Sequence, residues 1–206
     1  MLRCQDQSRQ MTGWQLPKEA CIGGKTYTLH TDFREILEIF GWLQDETKPE
    51  FFRWYVALAL FFEEEIPDGD FYEAAEYFRW FVCRGQPETD PATPALLHWQ
   101  QDAQDIAADV NKVAGREIRE MPYLHWWTFL GWFHGIGEGN LSMLVSVRDK
   151  LRRGKKLEPH EREFYRRNRG RVQLRPEYTP EELAQQARLQ ALLDPPCGER
   201  EDEYGE

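Results

Sequence analysis

Residues 123–135 read "YLHWWTFLGWFHG": three tryptophans, two phenylalanines, a tyrosine and two histidines, with no Asp, Glu, Lys or Arg. The stretch is too short for a bilayer, which needs about 18–20 apolar residues. Tyr123, Trp126, Leu130 and Phe133 recur at helical spacing, and Leu124, Trp127 and Gly131 occupy the adjoining face. A helix apolar on most sides belongs inside a bundle. With Pro122 as the helix start, the pattern predicts a core helix, an all-α fold and His125 as a core-edge histidine. Gly131 is expected to let a neighbouring backbone or ring come close.

The surrounding pattern agrees. "ACIGGKTYTLH" (20–30) predicts a β-hairpin, with Gly23-Gly24 supplying a positive-φ turn. "TDFREILEIFGWLQ" predicts a helix in which Asp32 and Glu35 form a capping box and Phe33, Ile36, Leu37, Phe40 and Leu43 form the buried stripe. Pro49 starts a second helix, so apolar throughout that it is expected to be central. "FYEAAEYFRWFVCR" is a third, and Pro-rich 85–94 a loop. A helix over about 95–114 puts Ile106, Val110 and Val113 on one side and Asp102, Asp105 and Asp109 on the other. "LSMLVSVRDKLRR", "EPHEREFYRRNR" and a polar "PEELAQQARLQALL" complete the helices. The expected fold is mainly α: a compact bundle of about six to eight helices, with an N-terminal hairpin and a polar C-terminal tail. Its boundaries are a flexible 1–19, a single helical domain over 20–170, and an extension over 171–206 ending in acidic, disordered chain.

Charge is unevenly spread. Residues 148–175 hold twelve Lys/Arg and four Asp/Glu, whereas the rest of the chain carries 14 basic and 32 acidic residues. Such a block suggests an electrostatic partner, an element that docks on its own body, or head-to-tail association. Phe164 and Tyr165 among arginines also permit nucleic-acid stacking, but the acidic body repels a polyanion, so nucleic acid is the weaker reading. The cysteines, at 4, 21, 83 and 197, have neither metal spacing nor the look of a disulfide frame. The five histidines form no i, i+4 pair, and no phosphate loop or nucleophile signature is present. The residues therefore make no case for an enzyme, a metal or a cofactor, and no segment is long and apolar enough to span a membrane. A polar N-terminus without a signal core points to cytoplasm.

Four segments resemble the bacteriophage gene-product-fifteen family: "GGKTYTLHTDFREILEIF", "EEEIPDGDFYEAAEYFRWFVCRG", "WQQDAQDIAADVNKVAGREIREMPYLHWWTFLGWF" and "VSVRDKLRRGKKL". The resemblance covers roughly residues 20–170. TDFR followed downstream by LHWW is its most specific part. The chain departs from the family where an aromatic "IYAAF" becomes "IAADV", placing Asp109 and Val110 there, and where Thr128 replaces a Lys. The resemblance implies a protein of the phage tail module, encoded between tail-tube and tape-measure genes. It implies a tail-assembly chaperone that binds the tape-measure protein, with the tail-tube protein as a second candidate partner. Such a protein acts in the host cytoplasm and is absent from the finished virion. Homo-oligomers are a further expectation. The alternatives are a nucleic-acid-binding or regulatory phage protein using residues 148–175, and a structural tail or head-completion component. Candidate partner contacts are Trp126, Trp127, Phe129, Trp132 and Phe133, with Arg148, Arg152, Arg153, Lys155, Lys156, Arg166 and Arg167 from the basic block.

Overall fold

A hairpin opens the chain and its turn is the one expected: Gly23 and Gly24 take φ of 57° and 82°. This computed structural model describes residues 14–86 and 96–174. Strands β1 (Glu19–Ile22) and β2 (Lys25–Thr28) pair antiparallel, Ala20 opposite Tyr27 and Ile22 opposite Lys25. Ala20, Ile22 and Tyr27 are buried. The Tyr77 hydroxyl donates to the Glu19 carbonyl at 3.1 Å, tying the hairpin to the helices.

The rest is helical: α1 (Phe33–Gln44), α2 (Glu50–Phe61), α3 (Phe71–Val82), α4 (Ala103–Ala114), α5 (Trp126–His134), α6 (Asn140–Arg152), α7 (Pro159–Arg167) and α8 (Arg169–Val172). Asp32 caps α1 and completes the box with Glu35. The buried line of α1 is Phe33, Ile36 and Ile39, with Leu37, Phe40 and Leu43 packed at its edge. Phe61 joins α2 to α3 through rings 5.0 Å from both Phe78 and Phe81. The principal core gathers the hairpin and α1–α6. A smaller cluster of Leu144, Val147 and Val172 is covered by Leu157, Phe164 and Tyr165, so α6, α7 and α8 close a second core.

The structure departs from the sequence reading at identifiable points. Residues 122–125 are not helical. They run alongside residues 31–33 through a bridge between Asp32 and His125, and α5 starts only at Trp126. Tyr123 is consequently half exposed. Nothing approaches the Cβ position of Gly131, which lies on the exposed side. Helix α4 starts at Ala103, because the Asp102 carboxylate turns back to the His98 N–H at 2.9 Å and holds the preceding residues in a turn. Val113 is exposed, unlike Ile106 and Val110 on the same side of the helix. Helix α2 is not enclosed, as described below. Cys83 takes no part in a disulfide, whereas Cys21 is disulfide-bonded, against the reading of the cysteine spacing. The expected helix "PEELAQQARLQALL", the flexible 1–13 and most of the 85–94 loop lie outside the described residues.

Candidate functional site

The segments TDFR and LHWW meet. The Asp32 carboxylate accepts the Arg34 N–H at 3.0 Å, the Arg34 guanidinium at 2.8 and 3.1 Å, and the Leu124 N–H at 2.9 Å. The same guanidinium donates to the Met121 carbonyl. Backbone bonds run both ways, from Phe33 N–H to Leu124 and from Trp126 N–H to Thr31. Burial alone would raise the Asp32 pKa. The hydrogen bonds from Arg34 and Leu124 outweigh it and hold the carboxyl below its ordinary 3.8.

His125 caps α5. Its Nδ1 accepts the Trp127 N–H at 3.0 Å, and its Nε2 lies 2.9 Å from the Pro17 carbonyl. A ring accepting at Nδ1 and donating at Nε2 is the neutral Nε2–H tautomer. Burial pushes its pKa below the ordinary 6.5, consistent with that form. The next two residues cap α3 from outside: the Trp126 indole donates to Val82 and the Trp127 indole to Phe81, at 3.1 and 2.8 Å. At the end of α3 the indole of Trp126 supplies the Val82 carbonyl with a donor, and that of Trp127 adds a second to the Phe81 carbonyl, which also accepts the Arg84 N–H at 3.1 Å. All four residues of LHWW are thus engaged inside the molecule.

The candidate contact residues differ in exposure. Trp126 and Phe129 are each 1% exposed and belong to the core, so neither offers a surface to a partner. Phe33 stacks on Phe129 at 4.8 Å, and Phe40 packs edge-on to Trp126 at 5.5 Å. Trp127, Trp132 and Phe133 are half-buried against the same core, Phe133 meeting Trp99 at 5.2 Å.

The basic block is also partly internal. Arg148 is buried and forms a two-pronged pair with buried Asp102, at 2.6 and 2.8 Å, while donating to the Val172 and Arg171 carbonyls. Arg171 pairs with Asp105. Buried Asp109 accepts the Leu141 N–H at 3.0 Å and caps α6 from α4. The side of α4 that read as solvated is therefore a second interface, and its three aspartates fasten the basic helices. Arg152 and Arg153 pair with Asp149, and Arg166 and Arg167 with Glu163. Lys155 and Lys156 are exposed and form no ion pair among the described residues.

The exposed aromatic surface lies elsewhere. On α2, Trp54, Ala57, Leu58 and Phe61 face the core, leaving Phe51, Phe52 and Tyr55 on the outer flank, 68%, 45% and 50% exposed. Phe51 stacks on Phe71 at 5.2 Å, and Phe71 meets Tyr72, 83% exposed, at 5.9 Å. Phe51, Phe52 and Tyr55 fall at i, i+1 and i+4, one ridge of a helix. The sequence signal points the other way, since a helix apolar on most sides ordinarily lies inside a bundle.

A family model described as bacteriophage Gp15 protein matches residues 15–174. No curated protein and no solved structure matches the chain.

Proposed function

The chain belongs to that bacteriophage Gp15 family, and from this premise we propose that it is a non-enzymatic tail-assembly chaperone that binds the tape-measure protein before the tail tube polymerises. One observation carries the reading: the family's marker residues in TDFR and LHWW are spent on internal hydrogen bonds, while an aromatic ridge on α2 and α3 remains open. Exposed apolar patches of this kind mark interaction surfaces. A client helix would lay its apolar face on that ridge, and the chain's net charge of −10 would keep the complex dispersed. The tail-tube protein is a second candidate partner. Lys155 and Lys156 suit electrostatic contact with the acidic body of a neighbouring copy, which supports a homo-oligomer along the client.

The proposed place of action is the host cytoplasm, with no copy in the finished virion. Among the described residues no helix is long and apolar enough to cross a membrane. The test is co-expression with the adjacent tape-measure gene. Soluble client that co-purifies with this chain supports the proposal. A client left insoluble, with nothing bound, removes it, and detection of the chain in purified particles favours a structural tail or head-completion component instead.

A further inference from the structure

Charge around the α2 ridge specifies what can sit on it. Residues 45–76 carry ten Asp/Glu against two Lys/Arg. One of those two, Arg53, is half-buried and donates to the Leu43 carbonyl at 2.6 Å, which ties it to the molecule's own backbone. Glu50 adjoins Phe51 and is exposed, as are Glu63, Glu64 and Glu65 beyond the far end of α2. Asp68 and Asp70 immediately precede Phe71, whose ring lies against Phe51, and this brings a second acidic group to the near end. An apolar ridge rimmed by carboxylates complements a helix whose apolar stripe is flanked by Lys or Arg. An acidic helix docked there would set like charges together around a desolvated contact, which is costly.

We propose that the outer flank of α2, formed by Phe51, Phe52 and Tyr55 with neighbouring Tyr72, is a docking surface for a basic amphipathic helix of the client, packed along α2. Apolar side chains of the client at i, i+3 or i+4 and i+7 would fill the spaces between the four rings. Its Lys and Arg side chains would reach the acidic groups at both ends. Only the client's identity rests on the chaperone reading; the binding chemistry stands on the surface itself.

The experiment titrates the full-length protein with a model Leu/Lys amphipathic helix of about four turns, followed by calorimetry, with a Leu/Glu helix of equal length as the control. The expected result is one Leu/Lys helix per chain, bound at least about tenfold more tightly than the Leu/Glu helix, and weakened as salt rises from about 0.05 to 0.5 M. The double variant Phe52→Ser, Tyr55→Ser leaves every charge in place and alters side chains that already face water. It is expected to keep the thermal transition and lose about tenfold or more in affinity. Equal binding of the two helices, or undiminished binding to the double variant, overturns the inference. So does sedimentation showing that the variant turns dimers into monomers, since the ridge is then covered by a second copy. Loss of Leu/Lys binding in the variant together with failure of the tape-measure protein to co-purify removes the chaperone reading and leaves this surface standing. Co-purification that is indifferent to the double variant does the reverse.

Discussion

Asp32 shows how much one carboxylate settles. It starts α1, orients Arg34 and holds the strand-like segment before α5. Asp32→Ala removes a cap, worth about 1 kcal/mol, and leaves the buried Leu124 N–H unsatisfied, at a further ~1–3 kcal/mol. Urea denaturation is expected to show a loss of roughly 2–4 kcal/mol. Because the folded pKa is depressed, this contribution is complete above the ordinary value of 3.8 and is lost as pH falls through the folded value. Asp32→Asn should flatten that acid limb. His125 has the same sign for a different reason. Its folded pKa lies below 6.5, so below pH 6.5 the unfolded chain takes up a proton that the folded chain refuses, and stability falls. In urea melts from pH 7.5 to 5, His125→Asn, which retains a capping oxygen, should remove that slope. Wild-type stability that is level over this range would contradict the buried neutral ring. The capping role of Asp32 was legible because its partner Glu35 is three residues away. Its bond to Leu124 and the indole caps on α3 were not, since nothing local in the chain pairs residues so far apart.

Helices α1, α2 and α4 differ in how far their own sequence determines them. The capping box of α1 is a local pattern and the structure reproduces it, whereas the apolar line is reproduced at Phe33 and Ile36 but shifted to Ile39, with Leu37, Phe40 and Leu43 only half-buried. The sequence of α4 predicts one buried face, because carboxylates recurring at helical spacing on the other side ordinarily mean solvent. The partners that bury Asp102 and Asp109, Arg148 and the start of α6, are contributed by chain 30 to 50 residues downstream. Arg148→Met strands Asp102 in the interior and should cost about 3–5 kcal/mol. The double variant Asp102→Leu, Arg148→Met removes both charges and should recover much of that loss in a thermal melt. A double variant as unstable as the single one would show that packing, not the pair, holds α4 to α6. Asp109→Ala should fray the first turn of α6, visible as faster amide exchange at Leu141, with about 1 kcal/mol lost overall. Helix α2 is the opposite case. Its composition predicts a central position, yet too few neighbours surround it, and its outer flank stays open.

Across the molecule, much of the strong positive charge near the C-terminus is consumed at home. Arg148 and Arg171 are bound to α4, and Lys150 to Glu161. Among the described residues, those of the block that reach solvent without an ion pair include Lys155, Lys156, Arg162 and Arg169, a small site for a polyanion. Gel shifts with single- or double-stranded DNA at low salt are accordingly expected to be negative or unchanged by Lys155→Glu, Lys156→Glu. A shift abolished by that variant would revive the nucleic-acid alternative. The helical class and the hairpin were legible because they depend on composition and periodicity, and the family resemblance because TDFR and LHWW are each contiguous in the chain; the open surface depends on which faces run out of neighbours, a property of the assembled whole. The meeting of TDFR with LHWW also has a consequence for synthesis. Leu124 lies 92 residues beyond Asp32, so a ribosome adding about 5–20 residues per second needs roughly 5–20 s between making the two. Through that interval Phe33 and Phe40 wait for Phe129 and Trp126 to emerge. A nascent chain stalled before residue 121 is therefore expected to be protease-sensitive, and one stalled well past residue 134 protected.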